Sequence, residues 1–557
     1  MALLKFNDMC VACEVFNHMM KPLFKTAALL LCLFIHAGAA LAHSLEVKML
    51  PGEKWWGATD NMRTMVQQKS PAFPFDESST VNLDFNLAGY SNNNVPFLVS
   101  SAGRYIWSDG VVKFSFKDGV ITVTSDKPVA LESGFGNLRG AFLKASAAHF
   151  APSGLIPPEE FIASPQYNTW IELTYNQNQK DILDYAHAIV DNGFPTGSVL
   201  MIDDNWQKYY GNFEFKPERF PDAKAMFDEL HALGFKVMLW VCPFISPDSA
   251  EFRDLRKRKL LVRNAAGTAP AMIEWWNGFS AAVDMSNPEG RAWFVEKLRA
   301  MQKEFGVDGF KFDAGDAQYY RRGEVKVFDG KSYGAAHTSL WCSLTNDFPY
   351  NEFRASYKYA GQPAVMRLCD KRYSWEDVAN LVPSMIAAAM EGHIYICPDM
   401  IGGGEFTTFT NLKAGDFDEE LIVRSCQVHA MMPMMQFSVA PWRILSKENL
   451  EICRKAAQAH KDLGDYLLRA AREGAKTGEP IVRPMDYAFP GEGFEACTDQ
   501  YMLGDKYLVA PMLTAGTERT VTLPKGRWVD ETGRKFKGGK TYTIAVPLDR
   551  IPVFTQD

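Results

Sequence analysis

At 557 residues the chain exceeds what one hydrophobic core organises, so two to four domains are expected. Hydrophobic residues at 47% and aromatics at 13% exclude a disordered or low-complexity chain and suffice for a large buried interior. The formal net charge is −7, with acids and bases intermixed and no long basic run, which excludes nucleic acid as the main partner because phosphate neutralisation needs clustered Lys and Arg.

The N-terminus reads as an export signal. Lys21 and Lys25 form a basic region, residues 27–35 an apolar stretch too short to span a membrane comfortably, and Ala40-Leu41-Ala42 a small-x-small cleavage site, so the mature chain is expected to start near His43 and to make no stable membrane insertion. Of ten cysteines, Cys10, Cys13 and Cys32 precede that cut. The other seven show neither CxxC nor metal-ligand spacing, and their odd number argues against a closed disulfide framework. Cys242, Cys369 and Cys397 sit in or just after apolar runs, as buried thiols do. The histidines form no HExxH or HxH pattern, so no catalytic metal and no cofactor is expected.

Between 45 and 160, short alternating segments at 47–50, 81–87, 97–99, 104–107, 111–116 and 120–124, punctuated by Asp109-Gly110 and Asp118-Gly119, predict a β-sandwich. From about 168 the period changes. Apolar strands are predicted at 170–175, 198–202, 236–241, 309–312, 364–368, 393–396, 434–439 and 480–484, with helical patterns between them at 181–190, 223–233, 291–305, 378–390 and 450–468. Eight strand-helix units predict an α/β fold with a closed (β/α)₈ barrel. The stretch 317–350 lacks periodicity and reads as a long functional loop. After 485, short strands at 507–510, 520–523 and 541–544 predict a second β-sandwich. The expected organisation is a signal over 1–42, an N-terminal sandwich over 43–164, the barrel over 165–484 and a C-terminal sandwich over 485–557.

In such barrels the working residues stand at the carboxyl ends of the strands. Read in order, those ends offer Asn176, then Asp203-Asp204-Asn205-Trp206, Trp240 and Cys242, Asp313 to Asp316, Arg367 and Asp370, Asp399, and Trp442-Arg443. Carboxylates and tryptophans converge with no Ser/His or Cys/His pair. Two carboxylates can supply acid, base and nucleophile for glycoside cleavage, and tryptophan faces can hold sugar rings. Each residue also has a plainer reading. Asp203-Asp204 could cap the following helix, Asp313 could be ion-paired to Lys311, and Asp370 could belong to a surface pair with Lys371 and Arg372. The glycines after Asp399 make a tight turn at the barrel mouth.

The segments Met201-Ile202-Asp203-Asp204-Asn205-Trp206, Trp275-Trp276-Asn277-Gly278, Phe310 to Asp316, Arg367-Leu368-Cys369-Asp370, Pro398 to Gly403 and Met434 to Ser438 jointly resemble glycoside hydrolase family 31, and Ile481 to Pro484, Asp499 to Tyr501 and Leu508 to Pro511 agree. The likeness covers roughly 165 to 555 and is strongest to the galactosidase-type branch. It implies a barrel flanked by β-sandwiches and a retaining mechanism on α-linked sugars. It places the nucleophile on Asp313, the acid/base on Asp370, and sugar contacts on Asp203, Asp204, Trp206, Trp240, Lys311, Arg367 and Asp399. Two positions depart from the pattern: Asp316 stands where an animal member has Glu, and Tyr373 where an acid is more usual.

The implied mechanism has Asp370 protonate the leaving oxygen while Asp313 attacks the anomeric carbon, after which Asp370 activates water. The carboxyls are expected about 5–5.5 Å apart. Lys311 and Arg367 are expected to keep Asp313 ionised, and burial with the Asp313 charge to raise Asp370. The expected partner is an α-linked oligosaccharide or glycoside, α-galactosides ahead of α-glucosides or α-xylosides. The rival reading is a carbohydrate-binding protein that has kept the fold, and possession of both Asp313 and Asp370 argues against it.

Overall fold

The structure is a computed structural model that describes residues 43–60, 73–85, 92–410, 412 and 416–557. The export signal expected over 1–42 lies outside the described residues. Among the described residues, no helix is long and apolar enough to cross a membrane, and no group of three or more His, Cys, Asp or Glu could hold a metal ion. Seven described cysteines are free thiols; Cys242, Cys342, Cys397, Cys426 and Cys453 are buried, and Cys369 and Cys497 partly so.

The N-terminal β-domain has two sheets. One runs His43–Lys48, Val120–Ser125, Val112–Lys117, Val81–Asp84, all antiparallel. Its strands alternate: in Val112–Lys117 the residues Val112, Phe114 and Phe116 are buried and Lys113 and Lys117 exposed, the pattern of a sheet with one wet face. The second sheet is built on Asn93–Ser100, a strand buried along its whole length because both faces are covered. Leu98 and Ile106 face the first sheet, whereas Val95, Phe97 and Val99 join the core beneath the barrel with Leu138 and Phe142 of the helix Leu138–His149. The barrel contributes a strand of its own to this sheet: Ser356–Tyr357 pairs in parallel with Asn93 and Asn94.

The central sheet closes into a barrel of eight parallel strands: Gln166–Asn168, Val199–Ile202, Lys236–Val241, Gly309–Phe312, Asn351–Phe353, Val365–Arg367, a divided seventh strand, and Gln436–Phe437. The seventh is split at Pro398-Asp399: Ile396–Cys397 pairs with the sixth strand and Met400–Ile401 with the eighth, and this one segment closes the ring. Three strand predictions are corrected. Residues 170–175 alternate in polarity, but Trp170–Leu173 is a helical turn; the Asn168 side chain accepts from the Trp170 amide (2.8 Å) and ends the first strand before it. The fifth strand, Asn351–Phe353, lay undetected behind the loop because it is short and two of its residues, Asn351 and Glu352, are polar. With it counted, the strands predicted at 364–368, 393–396 and 434–439 become the sixth, seventh and eighth. The predicted 480–484 strand is Val482–Pro484, which pairs antiparallel with Tyr501–Leu503 and belongs to the C-terminal sheet. The pattern over 450–468 covers parts of two helices, Lys447–Asp462 and Gly464–Thr477.

The C-terminal domain packs a six-stranded sheet against the hairpin Glu518–Leu523/Lys540–Ala545, with Trp528, Phe536, Phe554, Leu508 and Val521 between them. A single buried cation ties it to the barrel. Arg424, on the helix Glu419–Ala430, donates to the carbonyls of Gly516 (3.2 Å), Val546 (2.8 Å), Pro547 (3.3 Å) and Arg550 (3.2 Å) and to Gln427 Oε1 (3.0 Å). Removing the guanidinium strands these acceptors in a dry interface, where each unmet group is costly. Arg424→Ala is expected to lose about 3 kcal/mol or more, read as a lower melting temperature. A melt superimposable on that of the wild type would show the contact to be energetically idle.

Candidate active site

The parallel register sets the floor of the site. Trp240 lies level with Lys311, and Lys311 with Glu352, so three inward side chains from the third, fourth and fifth strands occupy one layer. Trp240 is 1% exposed and Lys311 4%, so this layer is dry. The Lys311 ammonium donates to Asp203 Oδ2 at 2.6 Å. A charge buried this deeply persists only when matched by an opposite one. Lys311 therefore pairs first with Asp203 and acts on Asp313 at longer range.

Asp313 follows the fourth strand. Its Oδ2 accepts from Trp240 Nε1 (2.8 Å) and its Oδ1 from the Ala314 amide (3.0 Å), two donors that fix the carboxylate's plane. Ala314 and Gly315 both have positive φ (56° and 81°), which turns the chain sharply away from the strand end. A Cβ at Gly315 would meet Trp341 at 2.4 Å, so the turn can close only on glycine.

The cation that reaches both candidate carboxylates is Arg354, the first residue after the fifth strand. Its Nη1 lies 3.7 Å from Asp313 Oδ1 and 3.8 Å from Asp370 Oδ2, and its Nε 3.6 Å from Asp316 Oδ1. The guanidinium carbon sits 4.9 Å from the ring centroid of Trp276, an arrangement that favours a cation over an aromatic face. Arg354 was not among the residues picked out by the sequence. Its signal, an Arg at a strand's carboxyl end, is visible only after residues 351–353 are assigned to a strand.

Arg367 holds the opposite wall. Its Nη1 donates to Asp370 Oδ1 and to Asp399 Oδ1 (3.0 Å), and its Nε lies 3.7 Å from Glu352. Burial works to raise the Asp370 carboxyl, but Arg367 and then Arg354 outweigh it and hold the group below the usual carboxylate range. The expected upward shift of Asp370 is thus corrected: Arg367, expected to act on Asp313, bonds Asp370 itself, and Arg354 adds a second guanidinium. The carboxyls that do titrate high are others. Burial, reinforced by Asp203, pushes Asp204 up to about 7. Burial also raises Asp316 despite Arg354, and its Oδ2 has no hydrogen-bond partner.

Asp203, Asp204, Trp240, Lys311, Asp313, Arg367 and Asp370 line one cavity of about 210 Å³, with Arg354, Trp276, Trp170, Tyr175 and Phe406 completing its walls. That volume is below the about 300–1,000 Å³ of drug-sized pockets and suits a single small ring. Two expected sugar contacts do not line it. Trp206 is fully buried, packs on Phe215 (ring centroids 4.7 Å apart) and donates from Nε1 to the Trp240 carbonyl (2.8 Å), so it props the third strand. Asp399 is also fully buried, with positive φ (64°); its Oδ2 accepts from the amides of Lys371 (2.8 Å) and Gly404 (3.1 Å), which sets the loop behind Asp370. Trp276 and Asn277 enter on the tip of the hairpin Ile273–Trp275/Gly278–Ala282. Asn277 donates to Asp204 Oδ2 (2.9 Å) and to the Tyr210 hydroxyl (2.8 Å), while Asp204 Oδ1 is left without a partner.

Residues 163–470 match the glycosyl hydrolases family 31 TIM-barrel domain, and residues 478–557 the C-terminal domain of the same family. The chain belongs to glycoside hydrolase family 31. It is 35% identical over 421 residues to the myogenesis-regulating glycosidase of Mus musculus, covering 73% of this chain and 58% of that protein. It is 24% identical over 542 residues to an α-xylosidase of Emericella nidulans, covering 91% and 66%. In fold it is similar to a Flavobacterium johnsoniae family 31 dextranase complexed with glucose, with a TM-score of 0.79 at 20% identity, covering 92% of this chain and 66% of the other. The chain thus spans about three fifths to two thirds of the length of these relatives.

Replacing Arg354 by Gln keeps a polar side chain, shortens it and removes its charge. Loss of one such electrostatic donor is expected to lower kcat by about 10²–10³-fold. It also relieves Asp370 of one cation, so the pH at which Asp370 loses its proton moves up and the basic limb of the rate profile shifts to higher pH. A variant with wild-type kcat and an unmoved limb would place Arg354 outside the chemistry.

Proposed function

We propose that the protein is a retaining, exo-acting α-glycosidase that removes a terminal α-linked hexose, with Asp313 as nucleophile and Asp370 as general acid/base. The observation that carries this reading is the single Arg354 nitrogen within 4 Å of both carboxylates, in a cavity of single-ring size. A shared cation keeps both carboxylates at one small cavity, as the about 5–5.5 Å spacing of a double displacement requires. Trp240 and the Ala314 amide hold the Asp313 carboxylate fixed for attack. Arg367 and Arg354 favour the ionised form of Asp370, so its acid role requires substrate to loosen one of these contacts and admit a proton. As base in the second step, the ionised form is the one needed.

Asp313→Ala is expected to lower kcat by about 10⁴-fold or more with the fold intact, and nuclear magnetic resonance of the first-formed product should show retained α configuration. Inverted product would end the retaining assignment, and an active Asp313→Ala variant would favour another nucleophile. Asp370→Ala should cost about 10²–10⁴-fold on a disaccharide but far less in glycosylation from an aryl glycoside of low leaving-group pKa, with azide rescuing the second step. Equal loss on both substrates without rescue would transfer the acid/base role, with Asp316 next in line.

α-Galactosides are the proposed preference. The unpartnered Asp204 Oδ1 in the cavity wall is an acceptor for a sugar hydroxyl, and an acceptor fixed for an axial 4-hydroxyl leaves an equatorial one unmatched. The galactosidase-type segments at 201–206, 275–278 and 310–316 supply the residues around it. Initial rates on 4-nitrophenyl α-galactoside, α-glucoside, α-xyloside and N-acetyl-α-galactosaminide test the preference; faster turnover of glucoside or xyloside overturns it and leaves the mechanism in place. Export with cleavage before His43 is part of the same reading, checked by N-terminal sequencing of the mature protein.

A further inference from the structure

A second concave surface lies apart from the catalytic cavity. Between the helix Ala250–Arg258 and the ladder Arg263–Asn264/Val325–Lys326 runs a groove of about 690 Å³, backed by Leu261 and Val327. Lys259, Arg263 and Lys326 line it, and Phe328 stands in it with 66% of its surface exposed. The groove thus sets an exposed aromatic ring beside cations in a concave surface. Arg258 on the same wall is matched by Asp254 and Glu289, but among the described residues no carboxylate lies within 4.0 Å of the charged nitrogens of Lys259, Arg263 or Lys326. Asp284 also lines the groove, with both oxygens occupied: Oδ1 by Ser286, Oδ2 by the Phe328 amide (2.7 Å). One wall of the groove belongs to the insertion between the third and fourth barrel strands, whose hairpin tip also brings Trp276 to the catalytic cavity, and Lys326 to Phe328 come from the loop between the fourth and fifth strands.

We propose that this groove is a non-catalytic binding site for an anionic polysaccharide, a sugar chain bearing carboxylate or sulfate groups. Cations on an extended ladder suit anions repeated along a polymer, and the Phe328 ring offers a flat face to a sugar ring. A protein of net charge −7 repels polyanions at long range, so a local cationic footing is what lets one dock. The concave shape favours a chain over a flat anionic membrane, which would meet only the rim. The proposal is independent of which terminal sugar the catalytic cavity takes.

The test is retardation of the purified protein in native gels containing polygalacturonate or dextran sulfate, against neutral dextran and poly-L-glutamate, with affinities from calorimetry. Both anionic polysaccharides are expected to retard the protein at about 50 mM salt and to release it near about 0.5 M, as screening requires. Neutral dextran should not retard it. The paired substitutions Arg263→Ala and Lys326→Ala should weaken binding about tenfold or more. Phe328→Ala should weaken polysaccharide binding without changing the weaker affinity for poly-L-glutamate. Both variants should keep the wild-type melting temperature and turnover of small aryl glycosides. Wild-type affinity in the charge variant, or poly-L-glutamate bound as tightly as the polysaccharides, overturns the proposal. So does binding to phosphatidylglycerol vesicles that polygalacturonate fails to displace, which would assign the groove to a membrane surface.

Discussion

The guanidinium of Arg367 is the joint on which the barrel mouth turns. It comes from the sixth strand and meets Asp370 on the loop beyond it, Asp399 in the break of the seventh strand and Glu352 on the fifth. Its side chain is 2% exposed and those of Glu352 and Asp399 are 1% and 0%, while Asp370 at 35% faces the cavity. A buried cation of this kind adds little net stability, but removing any one partner leaves an uncompensated charge, so the cluster fixes geometry by making every alternative costly. Arg354 extends the same logic to Asp313 and Asp316, and Lys311 to Asp203. The candidate site is therefore one continuous set of buried charges whose members come from the second to the seventh strands.

Backbone strain accompanies that network. Asn205, Ala314 and Asp399 all have positive φ (77°, 56° and 64°), and each stands within three residues of a strand end at the mouth. Side chains on such residues are disfavoured, and they persist because the surrounding packing over-determines them. Asp399 shows how: the position that breaks the seventh strand is also the one whose carboxylate takes the Arg367 nitrogen and the Lys371 and Gly404 amides. The break in the ladder and the anchoring of the loop behind Asp370 are one event.

Strands that carry two or more large apolar residues were legible in the sequence. Val199–Ile202, Lys236–Val241 and Gly309–Phe312 lie within a residue of where periodicity puts them. The fifth strand was not, because two of its three residues, Asn351 and Glu352, are polar; Glu352 points into the barrel, where Gln436 and Arg367 meet it. That omission hid Arg354 and shifted the count, which drew Val482–Pro484 into the barrel although its partners lie in the next domain. The first strand failed for a different reason: a side-chain turn at Asn168 overrode an alternating pattern. At the mouth, Trp206 and Asp399 stand at strand ends as expected yet point into the protein, since adjacency in sequence does not report which way a side chain leaves the strand. Trp276 was visible as part of a motif, but its place over Arg354 depends on how the hairpin between the third and fourth barrel strands folds back.

The strand that the barrel lends to the N-terminal sheet has a further consequence. Ser356–Tyr357 begins two residues after Arg354, and Asn93, its pairing partner, also donates to the carbonyl of Arg367 (3.1 Å). Both arginines that grip Asp370 are thus braced by a domain that contributes no residue to the cavity lining. The catalytic barrel is not a portable cassette: cut at the apparent domain boundary or grafted onto a foreign partner, it would lose the brace and with it the alignment of the two guanidiniums. The two domains must be inherited together, and sequence drift in the sandwich is answerable to chemistry it never touches.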